Sequence, residues 1–125
     1  MTMSGVLVWA LVAVIGGFGA VARFLVDRAV SQRTPRPFPY GTLAVNISGA
    51  ALLGFVGGLT LGQHAALLAG TAFVGAYTTF STWMFETHRL AEERQLRPAL
   101  ANIVVSVLLG VPAAWAGSMA AGALQ

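Results

Sequence analysis

Two asparagines and a run of hydroxyl side chains lie inside long apolar stretches of this 125-residue sequence. An amide or a hydroxyl can donate a hydrogen bond to an anion. A main-chain carbonyl released from a helix can bind a small cation. None of the four acidic residues lies in the middle of an apolar stretch. The polar groups therefore offer ion coordination without a titratable partner, which is the chemistry of a passive ion pathway.

The hydroxyl run occupies residues 75–83, where four Ser or Thr side chains and a glycine fall within nine residues. Such a segment forms helix poorly. In a membrane it is typical either of a local helix break with freed carbonyls or of close helix packing through small residues. Phe80 and Trp83 lie three residues apart and share a helix face. Their ring edges could face an anion, or the rings could face lipid or the core. The candidates in this run are Thr79, Phe80, Ser81 and Trp83.

Three further candidates lie in the first two apolar stretches. Thr42 and Asn46 are one helical turn apart on the same face. The Asn46 amide would either donate to a permeating anion or bond to a neighbouring helix. Arg23 lies near the end of the first stretch, where it would either attract anions in an aqueous vestibule or extend its charged end to the membrane interface.

The last apolar stretch carries a short polar stripe. Asn102 and Ser106 are four residues apart, and Gly110 follows one turn later. The stripe would either line a pore or hydrogen-bond to another helix.

Four apolar runs position these candidates, and each is near the ~20 residues that cross ~30 Å of hydrocarbon. Only 9% of the residues are charged, against about 25% in a typical soluble domain. We therefore expect an all-α membrane protein, with one four-span domain over residues 1–125. The predicted spans are about 5–26, 41–62, 65–85 and 99–124. Within the second span Gly54, Gly58 and Gly62 form two overlapping GxxxG spacings, which predict tight helix packing.

Two polar connections, 28–40 and 86–98, hold or adjoin all seven arginines, and the sequence has no lysine. The positive-inside rule places both connections in the cytoplasm and both termini outside. The charges of the second connection also predict that the third helix continues into water until Pro98 ends it.

Several functional classes are disfavoured. The sequence has no cysteine and only two histidines, so neither a disulfide framework nor a dedicated zinc site is expected. No phosphate-binding loop or nucleophile–base arrangement indicates an enzyme. The arginines lie between apolar runs, so no nucleic-acid partner is expected. A small multidrug exporter would need a membrane-embedded Glu in the first span, which is absent, and a non-transporting assembly protein would have an interior free of polar groups.

Three stretches carry a resemblance that covers essentially the whole chain: GGFGAVARF at 16–24, GTLAVNISG at 41–49 and GAYTTFST at 75–82. With these motifs the sequence resembles the CrcB/Fluc family of fluoride channels. The resemblance implies a broken third helix and an antiparallel dimer, formed with a second copy or with a second homologous subunit. It also implies two fluoride pores that passively export fluoride across the cell membrane and lower its cytoplasmic level.

The resemblance further implies a structural sodium ion at the centre of the dimer, held by the main-chain carbonyls of Gly75 and Thr78. No organic cofactor is expected. Two positions depart from the family pattern in the predicted pore lining: Trp83 stands where Phe is usual, and Asn102 stands where Tyr is usual. Together with the in-span polarity, the resemblance assigns to the fluoride pathway Arg23, Thr42, Asn46, Thr79, Phe80, Ser81, Trp83, Asn102 and Ser106.

Overall fold

The computed structural model describes residues 4–125, and within that range the chain forms helices and no strand. The elements are α1 (Gly5–Ser31), α2 (Tyr40–Gly58), α3 (Gln63–Ala66), a π-helical segment (Leu67–Val74), α4 (Gly75–Tyr77), α5 (Ser81–Glu92) and α6 (Leu96–Ala123). Among them α1, α2 and α6 are long and apolar enough to cross a membrane. The prediction of an all-helical, multi-pass membrane protein is confirmed.

The region of the predicted third span is built from shorter pieces. Helical backbone runs from Gln63 through the π-helical segment to Tyr77, and α5 then begins at Ser81. At Thr78 the backbone is extended, with ψ 163°. Neither piece alone has the length of a membrane crossing, so this region is not among the three long apolar helices.

Two helix boundaries in the structure differ from those expected from the sequence. Helix α2 ends at Gly58, and Gly62 lies beyond it, where a Cβ would meet nothing within 4 Å. Two consecutive glycines before an extended Leu59 account for the early end, since glycine weakens a helix. Pro98 does not end the third helix, because it lies in the first turn of α6. That position suits proline, whose missing N–H would have no helical partner there.

The turn that does end the helix before Pro98 follows a recognised capping geometry. The Gln95 N–H donates to the Leu90 carbonyl at 2.8 Å, and the Arg94 N–H donates to the Ala91 carbonyl at 3.1 Å. This pair of bonds is the Schellman motif, which requires a left-handed residue. Arg94 adopts it with φ 60°. Because that residue is usually glycine, the sequence carried no signal for the turn.

Helix α2 makes its most extensive contact with α6, through glycines on both helices. A Cβ on Gly54 would overlap the Ala114 carbonyl, and a Cβ on Gly117 would overlap the Ala51 carbonyl. A Cβ on Gly58 would lie 2.9 Å from the Ser118 carbonyl oxygen, which is also closer than real Cβ contacts. The predicted packing role is therefore confirmed for Gly54 and Gly58. This glycine packing holds the backbones of α2 and α6 close together beside the candidate site.

Candidate ion pathway

The interruption after Tyr77 is held by one side chain of α2. The Asn46 Nδ2 donates to the Thr79 carbonyl at 2.8 Å, and the Asn46 Oδ1 accepts from the Thr79 N–H at 2.8 Å. In hydrocarbon each of these main-chain groups would otherwise lack a partner at a cost of several kcal/mol. The Asn46 amide thus takes the place of the helical bonds that the interruption removes.

Two carbonyl oxygens are released by the same interruption. In an unbroken helix the Gly75 carbonyl would accept from Thr79, and the Thr78 carbonyl would accept from Thr82. The Thr79 N–H instead donates to Asn46, and the Thr82 N–H donates to the Thr79 hydroxyl at 3.1 Å. Within residues 4–125 neither carbonyl oxygen accepts a hydrogen bond.

Tyr77, which sequence reasoning did not single out, anchors the helix just before the interruption. It is only 5% exposed, its hydroxyl lies 2.8 Å from the Ser48 hydroxyl, and its ring stacks on Phe73. Thr78 packs directly on Gly49, which leaves no space for a Cβ there. The only sequence signal for this contact was the small-residue pair at 48–49 in the second family motif.

A cavity of about 320 Å³, here called the polar cavity, lies beside the interruption and opens at the protein surface. Its lining contains no ionisable side chain. Hydroxyl groups, one amide and two aromatic rings stand among apolar residues of α2, the π-helical segment and α6. The predicted site residues that the structure brings together in this lining are Asn46, Thr78, Thr79, Phe80, Trp83 and Ser106.

The two aromatic rings at the cavity meet edge to face. The centroids of Phe80 and Trp83 are 5.8 Å apart with an interplanar angle of 85°. Phe80 is 70% exposed, while the Trp83 indole Nε1 donates to the Asn102 carbonyl at 2.9 Å. Trp83 is therefore tied to α6, and Phe80 presents its ring to the open side of the molecule.

Asn102 lies outside the polar cavity, fully buried between α5 and α6. Its Nδ2 donates to the Thr87 hydroxyl at 2.9 Å and to the Trp83 carbonyl at 3.3 Å. Its Oδ1 has no hydrogen-bond partner within the described chain. Ser106, one turn along α6, is 8% exposed and its hydroxyl is also without a partner there.

A second cavity, of about 350 Å³, lies where α1 ends and α2 begins, and it is here called the charged cavity. Thr42 lines it and does not line the polar cavity that holds Asn46. Arg89 binds Glu86 at 2.6 Å and Glu93 at 2.8 Å. The hydrogen bond from Glu86 and the negative charge of both carboxylates raise the pKa of Arg89 above its ordinary value. This cation therefore stays charged at any physiological pH.

The charged cavity also joins the two arginine-rich connections. Arg89 Nη2 donates to the Pro37 carbonyl at 3.4 Å, so the connection after α1 and the end of α5 lie at the same end of the molecule. Arg23 and Ser81 line neither cavity. Arg23 is half-buried, and its Nε has no partner among residues 4–125. The Ser81 hydroxyl lies 3.5 Å from that of Thr79.

Comparison with known proteins identifies relatives along the whole chain. Residues 10–118 match the family described as "CrcB-like protein, Camphor Resistance (CrcB)". The "Fluoride-specific ion channel FluC 2" of Mycolicibacterium paratuberculosis is 71% identical over 119 residues, which are 95% of this chain and 98% of that protein. A protein of the same name from Mycobacterium tuberculosis is 68% identical over 90% of this chain and 89% of its own length. The "Fluoride-specific ion channel FluC 1" of Geobacillus kaustophilus is 45% identical over 85% and 90%.

Proposed function

This chain belongs to the CrcB-like family, an ion-channel family rather than an enzyme family, and from that premise we propose that it is a passive, fluoride-selective channel that lets fluoride leave the cytoplasm. The observation that carries the proposal is the polar cavity. It combines hydrogen-bond donors with aromatic ring edges and has no ionisable side chain in its lining. A transporter coupled to protons would need a titratable group at that depth.

The chemistry of fluoride fits this lining. Fluoride is small and strongly hydrated, so its dehydration must be offset by donors along the path. Neutral amide, hydroxyl and ring-edge groups can supply that stabilisation without binding so tightly that the ion cannot leave. One hydrogen of the Asn46 Nδ2 remains available after its bond to Thr79.

Fluoride release from vesicles tests this function. The purified protein, assembled with the second homologous subunit proposed below, is reconstituted in liposomes loaded with potassium fluoride, and a potassium ionophore is added to balance charge. A fluoride electrode should record release, and liposomes loaded with potassium chloride should release almost none. Release that requires a proton gradient, or equal chloride release, would contradict the proposal.

The working assembly that we propose is an antiparallel dimer. The polar cavity opens at the surface, where its lining residue Phe80 is exposed, and the neighbouring Ser81 is exposed as well. Non-helical backbone at membrane depth is tolerated only where protein or a water-filled cavity covers it. A second subunit over this face would cover the interruption and complete the pathway.

A sodium ion at the dimer centre is a further part of the proposal. The carbonyls of Gly75 and Thr78 fit a hard cation, because both are oxygen donors without a hydrogen-bond partner among residues 4–125. The Thr78 hydroxyl donates to the Val74 carbonyl at 3.0 Å, so its main-chain oxygen is the better ligand. When bound, the ion would hold the interruption of each subunit in one geometry.

We further propose that this subunit inserts in one orientation and pairs with a second, oppositely inserted homologous subunit. All seven arginines flank one end of the predicted topology, and the structure joins the two arginine-rich connections at one end. An antiparallel homodimer would need the same sequence to insert both ways, which such a bias opposes. If insertion tolerates the bias, the alternative is a homodimer.

A further inference from the structure

Several Ser and Thr side chains, within helices or directly after one, donate to the carbonyl four residues earlier. Ser48, Thr78 and Thr87 do so at 2.7, 3.0 and 2.9 Å. This is the ordinary local bond of a hydroxyl in an apolar helix. Ser106 makes no such bond, and its buried hydroxyl has no hydrogen-bond partner within residues 4–125.

The reason lies at the carbonyl that Ser106 would use, that of Asn102. In the continuous helix α6 this oxygen accepts the N–H of residue 106. It also accepts the indole N–H of Trp83 at 2.9 Å. A carbonyl oxygen has two lone pairs, and both are occupied. The Ser106 hydroxyl is therefore excluded from its ordinary acceptor.

The Asn102 side chain also bonds to the main chain of Trp83. Asn102 Nδ2 donates to the Trp83 carbonyl at 3.3 Å and to the Thr87 hydroxyl at 2.9 Å, so α5 and α6 are joined by bonds in both directions. No hydrogen bond joins the Asn102 Oδ1 to the Ser106 hydroxyl. Ser106, whose hydroxyl has no partner, lines the polar cavity.

We infer that Trp83 is a positioning residue: its indole N–H occupies the Asn102 carbonyl and so keeps the Ser106 hydroxyl available to donate to fluoride in the polar cavity. The inference rests on the proposed channel function. It assigns to Trp83 a role for its N–H group, separate from the contact of its ring with Phe80. Without the indole N–H, the Ser106 hydroxyl turns to the Asn102 carbonyl and is lost to the anion.

A double-mutant cycle on fluoride flux tests this inference. Trp83→Phe removes the N–H and keeps an aromatic ring, and Ser106→Ala removes the hydroxyl. Each single variant should lower flux about fivefold, the factor that corresponds to one hydrogen bond of about 1 kcal/mol. If Trp83 acts through Ser106, the double variant should be no slower than Ser106→Ala alone. Wild-type flux in Trp83→Phe, or a double-variant loss equal to the product of the single losses, would overturn the inference.

A second probe keeps the test independent of ring volume and of folding. Replacing Trp83 by 3-benzothienylalanine, in which sulfur takes the place of the indole N–H, conserves the shape of the side chain. This substitution should lower flux as much as Trp83→Phe does, and unchanged flux would overturn the inference.

Two exposed positions of α6 supply matched controls. Trp115→Phe and Ser118→Ala make the same chemical changes at exposed positions outside both cavities, and both should conduct as wild type. If the wild-type assembly, reconstituted with the second homologous subunit, conducts no fluoride, the proposed function fails. If the wild type conducts but the flux loss of the double variant equals the product of the two single losses, only the positioning role of Trp83 fails.

Discussion

At position 46 a single amide replaces two lost main-chain hydrogen bonds. Sequence reasoning left open whether Asn46 meets an anion or bonds to a neighbouring helix. The structure gives it the second role, with both bonds to Thr79 at 2.8 Å. One N–H hydrogen remains beside the polar cavity, so the first role stays a prediction.

Asn46→Asp should abolish fluoride flux at neutral pH. The carboxylate can still accept from the Thr79 N–H, but its second oxygen faces the Thr79 carbonyl and cannot donate to it. The lost bond costs about 1–3 kcal/mol, and the negative charge repels the anion at the cavity. Flux from proteoliposomes at pH 7.5 measures the effect, and wild-type flux in a well-assembled variant would remove Asn46 from the pathway.

The same variant should recover part of its flux at low pH. Protonation removes the negative charge of the introduced carboxyl and lets it donate to the Thr79 carbonyl, as the Asn46 amide does. Flux measured between pH 7.5 and pH 5 should therefore rise relative to wild type. Hydrogen fluoride crosses lipid unaided as pH falls, so release from protein-free vesicles is subtracted at each pH.

The contact between α2 and α6 depends on the absence of side chains at a few positions. Gly54→Ala should destabilise the protein by about 1–3 kcal/mol, because its Cβ would overlap the Ala114 carbonyl and the two helices would have to move apart. Thermal unfolding in detergent measures the loss. Gly57→Ala, on the same helix, is the matched control because nothing lies within 4 Å of its Cβ. Equal stability of the two variants would contradict this account.

Features that depend on neighbouring residues in the sequence were predictable, and features that depend on contacts between distant residues were not. About twenty apolar residues in a row are a property of the sequence itself, so α1, α2 and α6 were expected. The turn at Arg94 was missed because a left-handed arginine carries no sequence signal. At the site, a polar residue in an apolar run was enough to select Asn46. Its partner Thr79, 33 residues away, could come only from the packing of two helices.

The burial of Asn102 behind Trp83 likewise depends on how two helices pack, which the sequence alone does not give. Its position four residues before Ser106 suggested one polar stripe along α6. Whether such a stripe faces a pore or another helix depends on where α5 packs. The structure divides the stripe, with Ser106 at the polar cavity and Asn102 against Thr87.

For the whole molecule, the arginine distribution predicts a single insertion. Reporters that are active only in the cytoplasm or only outside it, fused in turn to the C-terminus, should give a signal for the outside location alone. Moving arginines from the connection at residues 28–40 to the C-terminus should redistribute the signal. Reporter signals of similar strength on both sides, or robust fluoride flux from this chain purified alone, would contradict the pairing with a second homologous subunit.

Sodium should be a structural ion and not a transported one. Fluoride flux is expected to be the same whether a sodium gradient points into or out of the vesicles. The proposed sodium ligands are main-chain carbonyls, and the proposed fluoride donors are different groups, so sodium need not move with fluoride. Prolonged removal of sodium should lower the stability of the protein, or lower fluoride flux equally into and out of the vesicles. Flux that follows the direction of the sodium gradient would contradict this prediction.

The absence of any ionisable side chain from the polar cavity lining has an energetic consequence for the cell. Fluoride movement through such a lining draws on no metabolic energy, so it stops where electrical work balances the concentration ratio. A charge gains about 2.3 kcal/mol from 100 mV across a membrane, which for a negative interior holds internal fluoride roughly 50-fold below external fluoride. If the proposed function holds, a starved cell keeps this protection for as long as it keeps its voltage, and a depolarised cell loses it at once, however many copies of the protein it contains.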